Sequence, residues 1–311
     1  MKPIPFFLLA GGYGQRTQPL SFYKPKPAFP LHGTPLIRII LEQLKEKGFE
    51  DGFINLHHLA DKIKECVSWV NLGSGFPIYF YEEKLSGSAI LSAAVPYMKN
   101  RDTLLVVNGD IFLEIPFREM LDDLNSSEAD GIILVRPNTE KKAGYKVILA
   151  EEGFFKGRTV LTEEMMNDKT PCEVFMYTGV ALLKTKILSR IADINFFDTL
   201  ERERFQVKVL PYNGIWLDIG DPQSYREANF IYKSYIKQKT GKFSNNENSF
   251  SENVKVSADS IVEDSIIWDN TEIKNGSVLR RCIVTGDMVL DSVHYEDRLV
   301  TAGGCTSVVL N

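Results

Sequence analysis

The chain has 311 residues, 44% of them hydrophobic and 25% charged, which is the composition of a globular protein with room for one large domain and a small one. Its formal net charge of -5 excludes a broadly basic surface for nucleic acid, and no apolar run reaches membrane length. We therefore expect small anionic substrates, with neither nucleic acid nor a membrane as a partner.

The chain opens with an apolar run, residues 4–10, that predicts a buried strand. Residues 1–12 superficially resemble a signal peptide, but the run is short, two prolines interrupt it and a glycine loop follows at once. The glycines Gly11, Gly12 and Gly14 let the backbone turn tightly and bring its N–H groups against an anion without interference from Cβ atoms. We therefore interpret the start of the chain as a strand followed by an anion-binding loop.

Three cations follow the glycines. Arg16 offers a fixed fork of donors, while Lys24 and Lys26 add compact positive charge on a segment that three prolines hold extended. Three cations at one loop predict that the anion is a triphosphate. A dinucleotide fingerprint is the weaker alternative because Thr17 stands where a third glycine would lie, and a Walker loop would end in Gly-Lys-Ser/Thr, which is absent here.

Apolar residues then recur with helix and strand periods in alternation. Thr34 and Pro35 predict the N-cap and first position of a helix that runs to Gly48. Further strands are predicted at 53–56, 77–81, 103–107, 131–135 and 145–149, and further helices at 59–70, 117–124, 225–235 and in an apolar stretch ending at Met98. The alternation predicts a doubly wound α/β sheet of the Rossmann type.

The predicted strand at 103–107 ends in Asn108, Gly109 and Asp110. The carboxyl end of such a strand is where open α/β sheets bind ligands, and a triphosphate needs a divalent cation. A carboxylate at the strand end beside a glycine is well placed to bind that cation, although capping of the next turn is an alternative role. We predict that Asp110 is a ligand of this divalent cation.

The glycine loop and its surroundings, LAGGYGQRTQPLSFYKPKPAFPLHGTPLI, resemble the signature of the sugar-1-phosphate nucleotidyltransferases. In that family, G-G-x-G-x-R, Pro-Leu-Thr and Pro-Lys-Pro follow a first strand. The GGYG form is similar to that of the GDP-mannose pyrophosphorylases. Ser21 stands where the family usually has threonine, and Thr17 where it often has leucine; both changes leave the phosphate-binding logic intact.

Other segments also resemble the family. Residues 82–89 resemble E-x-x-L-L-G-T-A-G, in which Gly87 would let the nucleotide base lie close to the backbone, and residues 177–183 resemble its sugar-binding segment. Residues 214–222 are similar to W-x-D-I-G-T-P, which implies that Asp218 is a second metal ligand; without a cation or donor its burial between apolar neighbours would be costly. The family's Glu-Lys-Pro motif for the sugar phosphate is absent, and the candidates to replace it are Lys146, Lys156, Glu163, Glu164 and Glu173.

The end of the chain has a different pattern. Residues 239–253 are polar and rich in Asn and Ser, which predicts a linker with few contacts across it. Beyond it, Ile261, Ile267, Ile273 and Leu279 recur every six residues, while Ser265, Thr271 and Ser277 supply small residues. This pattern is typical of a left-handed β-helix, and a stack this short would leave an exposed edge for contact between copies of the chain.

These observations predict a doubly wound mixed α/β catalytic domain (1–239), a linker (240–253) and a short left-handed parallel β-helix (254–311) that forms a homo-oligomer. The four cysteines show no C-x-x-C spacing, which predicts reduced thiols and a cytoplasmic protein. The predicted site residues are Arg16, Lys26, Asp110 and Asp218 for catalysis; Leu9, Ala10, Gly11, Gly12, Gly14, Gly87 and Asn108 for the nucleotide; Gly109, Thr178 and Gly179 for the sugar; and Asp110 and Asp218 for Mg²⁺.

The resemblance implies that a sugar 1-phosphate attacks the α-phosphorus of a nucleoside triphosphate and releases pyrophosphate. GTP with mannose 1-phosphate or a related sugar is the expected pair, and a UTP- or dTTP-dependent enzyme acting on glucose 1-phosphate is the alternative. A catalytically silent regulatory subunit that binds sugar nucleotides is a further alternative, favoured by the missing Glu-Lys-Pro motif. A glycosyltransferase would need a D-x-D metal motif at a strand end, which Asn108-Gly109-Asp110 does not supply.

Overall fold

The computed structural model of the chain describes residues 3–68, 76–82, 87–98, 100–138, 144–163, 165, 172–191, 196–241 and 248–306. The chain divides into two compact units. One, here called the sheet unit, comprises Met1–Gly11, Glu42–His57 and Asn71–Trp216. The other, here called the loop unit, comprises Gly12–Leu41, His58–Val70 and Leu217–Asn311.

The elements that precede the C-terminal region are numbered along the described residues. The strands are β1 Phe6–Leu9, β2 Pro30–Leu31, β3 Thr34–Pro35, β4 Gly52–Leu56, β5 Ile78–Glu82, β6 Thr103–Asn108, β7 Ile111–Leu113, β8 Gly131–Pro137, β9 Lys146–Glu151, β10 Phe154–Val160, β11 Glu173–Lys184, β12 Val207–Pro211 and β13 Trp216–Asp218. The α-helices are α1 Leu36–Glu46, α2 Ala60–Ser68, α3 Phe117–Ser126, α4 Thr185–Leu188, α5 Phe196–Glu203 and α6 Pro222–Thr240. Short 3₁₀ helices span Gln15–Thr17, Leu20–Phe22, Lys26–Ala28 and Gly87–Tyr97.

The sheet unit is built on a nine-stranded mixed sheet in the order β5-β4-β1-β6-β11-β8-β12-β10-β9. Strands β5, β4, β1 and β6 are parallel to one another, whereas β11 runs antiparallel to β6 and β8. β1 and β6 are apolar and buried on both faces, as expected for central strands of a parallel sheet. The predicted mixed α/β architecture is therefore confirmed. None of the helices in the described ranges is both long and apolar enough to cross a membrane.

The predicted start of the first helix is wrong. Thr34–Pro35 is not an N-cap and first turn but the strand β3, which pairs antiparallel with β2. The two residues between these strands, His32 and Gly33, have positive φ angles of 46° and 85°, the combination that a tight two-residue hairpin turn requires. The helix α1 begins at Leu36, and Gly48, with φ 86°, follows its end as predicted.

The C-terminal region, residues 248–306, is a coil of short parallel strands. Its strands are β14 Ser249–Phe250, β15 Lys255–Val256, β16 Ile261–Glu263, β17 Ile266–Ile267, β18 Thr271–Lys274, β19 Val278–Arg280, β20 Ile283–Val284, β21 Met288–Asp291, β22 His294–Glu296, β23 Leu299–Thr301 and β24 Gly304–Thr306. They form three sheets, β14-β17-β20-β23-β24, β15-β18-β21 and β16-β19-β22, parallel throughout except for β24. Each turn thus contributes one strand to each sheet, and stacking buries what one turn alone cannot.

The six-residue pattern predicts this core only in part. Ile267, Ile273 and Leu279 are fully buried, as are the three small residues that accompany them, but Ile261 is 42% exposed. Residues at equivalent positions of the first turns are 17 apart, as in the hydrogen bond from the Cys282 N–H to the Ser265 hydroxyl, whereas β19 and β22, and β20 and β23, pair residues that are 16 apart. Three repeats of six residues are one residue longer than the turn from β16 to β19. Val262, which pairs with Leu279, therefore faces the core instead of Ile261.

One corner of the coil carries a ladder of polar side chains. The Asn253 amide donates to Asn270 Oδ1 at 3.1 Å, and the Asn270 amide donates to Asp287 Oδ1 at 2.9 Å. All three residues have φ between 55° and 58°, in the left-handed region that Asn and Asp tolerate better than other side chains. The side chains that permit the corner therefore also link one turn to the next.

The expectation that few contacts cross residues 240–253 is also wrong. Within the loop unit, the Trp268 indole donates to the Tyr225 hydroxyl of α6 at 2.9 Å, and that hydroxyl donates to the Pro30 carbonyl at 2.8 Å. The Phe29 ring centre lies 5.1 Å from those of both Tyr225 and Trp268. Tyr225 and Trp268 are fully buried, and burial raises the pKa of the Tyr225 phenol. The C-terminal region is thus packed into the loop unit by an aromatic cluster, Phe29, Tyr225 and Trp268.

Candidate active site

The predicted nucleotide residues of the sheet unit lie at the carboxyl ends of two neighbouring parallel strands. Leu9 at the end of β1 is paired with Asn108 at the end of β6. The Gly109 N–H donates to the Leu9 carbonyl at 2.8 Å, which fixes the turn that leads into Asp110. Gly109 is buried, whereas Asn108 and Asp110 are half-buried. The structure therefore brings Leu9, Asn108, Gly109 and Asp110 together at one edge of the sheet, where ligands bind in open α/β folds.

The glycine loop is held from below by Asn55, a residue that sequence reasoning missed. Asn55 is 3% exposed, and its Oδ1 accepts a hydrogen bond of 2.6 Å from the Ala10 N–H. The backbone donor of Ala10 is therefore directed into the protein rather than toward an anion. The only signal in the sequence is a polar residue inside the apolar run of β4, where a buried amide needs partners.

Gly179 sets the geometry of the predicted sugar segment on β11. Its φ is 91°, and a Cβ placed on it would lie 2.6 Å from Ile111 Cδ1 and 3.0 Å from Asn108 Cβ. The pairing of β11 with β8 shifts register between Tyr177 and Ala181, so the strand is irregular at this point. A glycine there allows the β11 backbone to approach Asn108 more closely than any side chain would permit.

The neighbouring Thr178 is fully buried and already engaged. Its hydroxyl donates to the Leu134 carbonyl at 2.8 Å, and its carbonyl accepts from the Trp216 indole at 3.0 Å. The Arg136 guanidinium lies 4.7 Å from the centre of the Trp216 ring, a cation–π distance. Arg136 makes no ion pair within the parts of the chain that the structure describes. Sequence reasoning missed the contact between Arg136 and Trp216 because the two residues lie far apart in the sequence.

A second arginine flanks the same segment through Tyr177. The Arg158 guanidinium lies 4.7 Å from the centre of the Phe197 ring, and that ring contacts Tyr177 edge-on with centres 5.1 Å apart. Burial lowers the pKa of Arg158, and the nearby Asp198 carboxylate opposes this shift. The Arg158 N–H donates to Glu201 Oε1 at 2.7 Å. Arg158 therefore lies in surroundings that already contain negative charge.

In the loop unit, the phosphate loop is folded around Gly14. Its φ is 63°, and a Cβ placed on it would lie 3.0 Å from both Ser21 Cβ and Thr17 Oγ1, and 3.3 Å from Lys26 Cγ. Thr17 is buried and donates its hydroxyl to the Gly14 carbonyl at 2.7 Å. Lys26 is only 8% exposed. The fold thus places the Lys26 stem against the glycine turn.

The surroundings of this turn can accept a ligand. A Cβ on Gly12 would have nothing within 4 Å, so the backbone there is open to close approach. The Ser21 hydroxyl is buried and has no hydrogen-bond partner among the residues the structure describes. A buried hydroxyl without a partner costs about 1–3 kcal/mol, which a phosphate oxygen acting as acceptor would offset.

Arg16 and Asp218 meet at Gly220. A Cβ on Gly220 would lie 3.1 Å from Asp218 Oδ2 and 3.8 Å from Arg16 Nη1. Asp218 follows the buried Leu217 at the end of β13, and Asp221 caps α6 by accepting from the Ser224 N–H at 2.9 Å. Two residues separated by about two hundred positions in sequence, both assigned to catalysis, therefore lie side by side in the loop unit.

Lys24 corrects the prediction of three phosphate-binding cations. Its Nζ lies 2.5 Å from Asp269 Oδ1 and 5.7 Å from the centre of the Trp268 ring. The side chain is thus committed to the C-terminal region and is not directed to the glycine turn. Arg16 and Lys26 remain as the predicted phosphate cations of the loop.

Lys156, one of the candidates to replace the missing sugar motif, is paired with an acidic neighbour. Lys156 forms an ion pair with Glu151 at 2.9 Å on adjacent strands, which raises the pKa of Lys156. Glu164 lies outside the described residues. Gly87 begins a 3₁₀ helix that ends at Tyr97, where the sequence predicted an apolar helix.

Two carboxylates are predicted as metal ligands, and they belong to different units, Asp110 to the sheet unit and Asp218 to the loop unit. Within the described ranges, no group of three or more His, Cys, Asp or Glu side chains could hold a metal ion. Mg²⁺ usually binds to one or two carboxylates and completes its octahedron with water and substrate phosphates. Each of these carboxylates is therefore a donor of the kind that fits the expected ion.

The chain is similar to a family of known proteins. A family model described as Nucleotidyl transferase matches residues 6–234. A protein of Sulfolobus acidocaldarius, provisionally named a mannose-1-phosphate guanyltransferase, is 28% identical over 282 residues, covering 89% of this chain and 74% of the relative. The catalytic subunit beta of mannose-1-phosphate guanylyltransferase from Xenopus tropicalis is 24% identical over 236 residues, covering 75% of this chain and 65% of that subunit.

Solved structures show the same fold. HddC from Yersinia pseudotuberculosis superposes with a TM-score of 0.61 at 20% identity, covering 74% of this chain and 99% of that one. UDP-glucose pyrophosphorylase from Acinetobacter baumanii gives a TM-score of 0.64 at 16% identity, covering 76% and 98%. At these identities the likeness supports the fold alone.

We expect Gly179→Ala to destabilise the sheet unit more than Gly144→Ala. Both glycines have φ near 90°, so a side chain costs about 1–3 kcal/mol of strain at either position. Only Gly179 adds a contact of 2.6 Å with Ile111, whereas nothing lies within 4 Å of a Cβ on Gly144. Denaturant unfolding should show at least about 1 kcal/mol of extra loss for Gly179→Ala. Equal losses would contradict the close approach of β11 to Asn108.

Proposed function

Since the chain belongs to the nucleotidyl transferase family, we propose that it transfers a nucleotidyl group from a nucleoside triphosphate to a sugar 1-phosphate and releases pyrophosphate. The observation that carries this proposal is the arrangement of charged side chains around the glycine turn of the loop unit. Lys26 packs against the Gly14 turn, and Arg16 lies beside Asp218 at Gly220. These are two cations and one carboxylate around a glycine loop, which is the chemistry that a metal-bound triphosphate needs.

Each of these side chains has a definite role in the proposed reaction. The sugar phosphate oxygen attacks the α-phosphorus in line, so negative charge accumulates on the leaving pyrophosphate. Arg16 offers two parallel donors to phosphate oxygens, and Lys26 offers a compact charge whose position is fixed by burial of its stem. Because both substrates are highly charged, alignment and charge compensation supply most of the acceleration, and no covalent enzyme intermediate is needed.

The proposed cofactor is Mg²⁺, with Asp110 and Asp218 as its protein ligands. Nucleotidyltransferases of this family generally use a divalent metal. When bound, such an ion neutralises phosphate charge and orients the reacting oxygens. The chain's own contribution is to hold two hard oxygen donors, one at the end of β6 and the other beside Arg16.

For the substrates we propose GTP and mannose 1-phosphate, or a sugar of related configuration. Two observations support this pair: the GGYG form of the loop, and the names of relatives from an archaeon and from animals, which share 22–28% of their residues with this chain. The chain spans 63–65% of the length of the animal subunits. UTP or dTTP with glucose 1-phosphate is the alternative pair.

The C-terminal region is proposed to be a left-handed β-helix that joins copies of the chain. Three parallel sheets and a turn of 16 or 17 residues, close to three repeats of six, support the helix. Val256, Ile261 and Val289 are large apolar side chains on its surface with exposures of 38%, 42% and 58%. Burial of such side chains between copies would contribute to assembly, and light scattering on the full chain measures it.

The experiment that tests the function is a matrix of GTP, UTP, dTTP, ATP and CTP against a panel of sugar 1-phosphates, scored by pyrophosphate release. We expect release with GTP and mannose 1-phosphate or a close relative. A clear preference for UTP or dTTP with glucose 1-phosphate would replace the substrate pair and keep the reaction. Nucleotide binding without release for any pair would favour the regulatory subunit, the reading that the missing Glu-Lys-Pro motif supports.

We expect Asp110→Asn and Asp218→Asn each to lower turnover by at least about a hundredfold while the protein stays folded, because each removes charge from the proposed metal site. Turnover is measured at saturating Mg²⁺, with folding checked by thermal denaturation. Asp122→Asn, an exposed position on α3, is the matched control and should leave the rate unchanged. Near-normal rates for either Asp110→Asn or Asp218→Asn would remove that residue from the metal site.

For the sugar end we propose that Arg136 supplies the cation that the family takes from its Glu-Lys-Pro lysine. Trp216 holds its guanidinium beside the Thr178 backbone, and no carboxylate in the described structure pairs with it. Arg158, the other arginine near this segment, already faces Asp198. We expect Arg136→Ala to raise the KM for the sugar 1-phosphate by about 10- to 100-fold, the value of a charge-assisted hydrogen bond, with the KM for the triphosphate unchanged.

Arg158→Ala is the matched comparison for this prediction. Arg158 packs on the Phe197 ring beside the same segment, as Arg136 packs on Trp216. Arg158→Ala therefore loses similar packing but keeps the proposed contact between Arg136 and the sugar phosphate. We expect its sugar KM to stay within about threefold of the normal value. A large increase in sugar KM for Arg158→Ala, with a normal value for Arg136→Ala, would move the sugar phosphate to the Arg158 side of β11.

A further inference from the structure

The segment from Lys24 to Phe29 is attached to the C-terminal region at both ends. At its start, Lys24 Nζ lies 2.5 Å from Asp269 Oδ1 and 5.7 Å from the Trp268 ring centre. At its end, the Phe29 ring lies 5.1 Å from the Trp268 ring. Two consecutive residues of the C-terminal region, Trp268 and Asp269, therefore fix both ends of one short segment of the loop.

Lys26 lies between these two attachment points. Its backbone belongs to a 3₁₀ helix, closed by hydrogen bonds from the Ala28 N–H to the Pro25 carbonyl at 2.8 Å and from the Phe29 N–H to the Lys26 carbonyl at 3.0 Å. Proline on each side of Lys26 restricts the backbone further. The direction in which the Lys26 side chain leaves the backbone is thus determined by where Lys24 and Phe29 are held.

The attachment itself is rigid. Trp268 is fully buried, and the hydrogen bonds from its indole to Tyr225 and from Tyr225 to the Pro30 carbonyl return to the residue that follows Phe29. The side chains of Lys24 and Asp269 are 15% and 29% exposed, so the ion pair is partly withdrawn from water. Such a charge-assisted pair is stronger than one on an open surface.

We propose that Asp269 and Trp268 are positioning residues for triphosphate binding, because they hold the segment that carries Lys26. The C-terminal region then acts on the nucleotide end of the reaction without touching the substrates. This inference rests on the proposed function of Arg16 and Lys26 as phosphate ligands. It assigns to Lys24, one of the loop cations, a role in attachment rather than in binding.

The test is made on the full chain with Asp269→Asn, Lys24→Met, Lys24→Arg and Trp268→Phe. We expect Asp269→Asn and Lys24→Met each to raise the KM for GTP by about three- to tenfold, the value of a charged hydrogen bond partly exposed to water, while the KM for the sugar 1-phosphate is unchanged. Lys24→Arg keeps a cation opposite Asp269, so we expect its KM for GTP to be normal. Trp268→Phe keeps the ring, loses the hydrogen bond to Tyr225, and should raise the KM for GTP by a smaller factor.

Glu263→Gln is the matched control. Glu263 on β16 pairs with Arg280 on the neighbouring strand β19 at 2.7 Å, in the same C-terminal region. We expect this variant to change neither KM. A fall in the thermal midpoint of Asp269→Asn with an unchanged KM for GTP would reduce the pair to structural support and overturn the proposal.

The route of the effect is tested in a Lys26→Met background, with GTP affinity measured by calorimetry in the presence of Mg²⁺. If Asp269 acts by placing Lys26, then Asp269→Asn has no further effect on affinity once Lys26 is replaced, so the two changes are not additive. Full additivity would overturn the proposal. Calorimetry also separates this inference from the proposed function. If the normal protein shows no turnover with any substrate pair, the proposed reaction is refuted. The GTP affinities of the variants would still decide whether Asp269 positions Lys26.

Discussion

The hydrogen bond from the Trp268 indole to the Tyr225 hydroxyl is the interaction on which the loop unit depends. Both groups are withdrawn from water, so each must find a partner inside the protein or lose the free energy of its hydration. The partners come from three separated parts of the chain: the helix α6, the C-terminal coil and the carbonyl of Pro30 in the phosphate loop. Each of these buried polar groups finds its hydrogen-bond partner in another part of the chain. The C-terminal coil, which the sequence predicted to be a separate domain, therefore belongs to the same compact unit as the phosphate loop.

The sheet unit is subject to a constraint of a different kind. There, the approach of β11 to the end of β6 depends on the absence of a side chain at Gly179, and the adjacent Thr178 is held by hydrogen bonds at both its hydroxyl and its carbonyl. The carboxyl ends of β1 and β6 present Leu9, Asn108 and Asp110 because Asn55 and Gly109 fix the turns beneath them. Close packing of the backbone thus places the residues that the proposed chemistry needs, while polar side chains set their orientation.

Much of this could be predicted from the sequence, and the failures have identifiable causes. Apolar runs predicted the central strands because burial on both faces leaves no polar positions, and the glycine loop with Arg16 and Lys26 was recognisable because its chemistry is contained in a short stretch. Lys24 was misassigned because its partner, Asp269, lies 245 residues away. Thr34-Pro35 obeys the local rule for a helix start, yet the two positive φ angles before it favour a hairpin. Ile261 fits a period of six, whereas the turn from β16 to β19 has 17 residues and places Val262 inward.

The ladder from Asn253 through Asn270 to Asp287 has a consequence for how this chain can change length. Because every rung bonds only to the rungs above and below, a whole turn of the coil is a module with the same connections at each face. The aromatic cluster, by contrast, draws on one turn only, at Trp268. Turns inserted or removed beyond that point would keep Trp268 beside Tyr225 but would shift Gly303, whose N–H donates to the Tyr23 hydroxyl of the phosphate loop at 3.2 Å. The same edit before Trp268 would separate Trp268 from Tyr225. The length of the coil is therefore fixed by contacts with the phosphate loop at both of its ends.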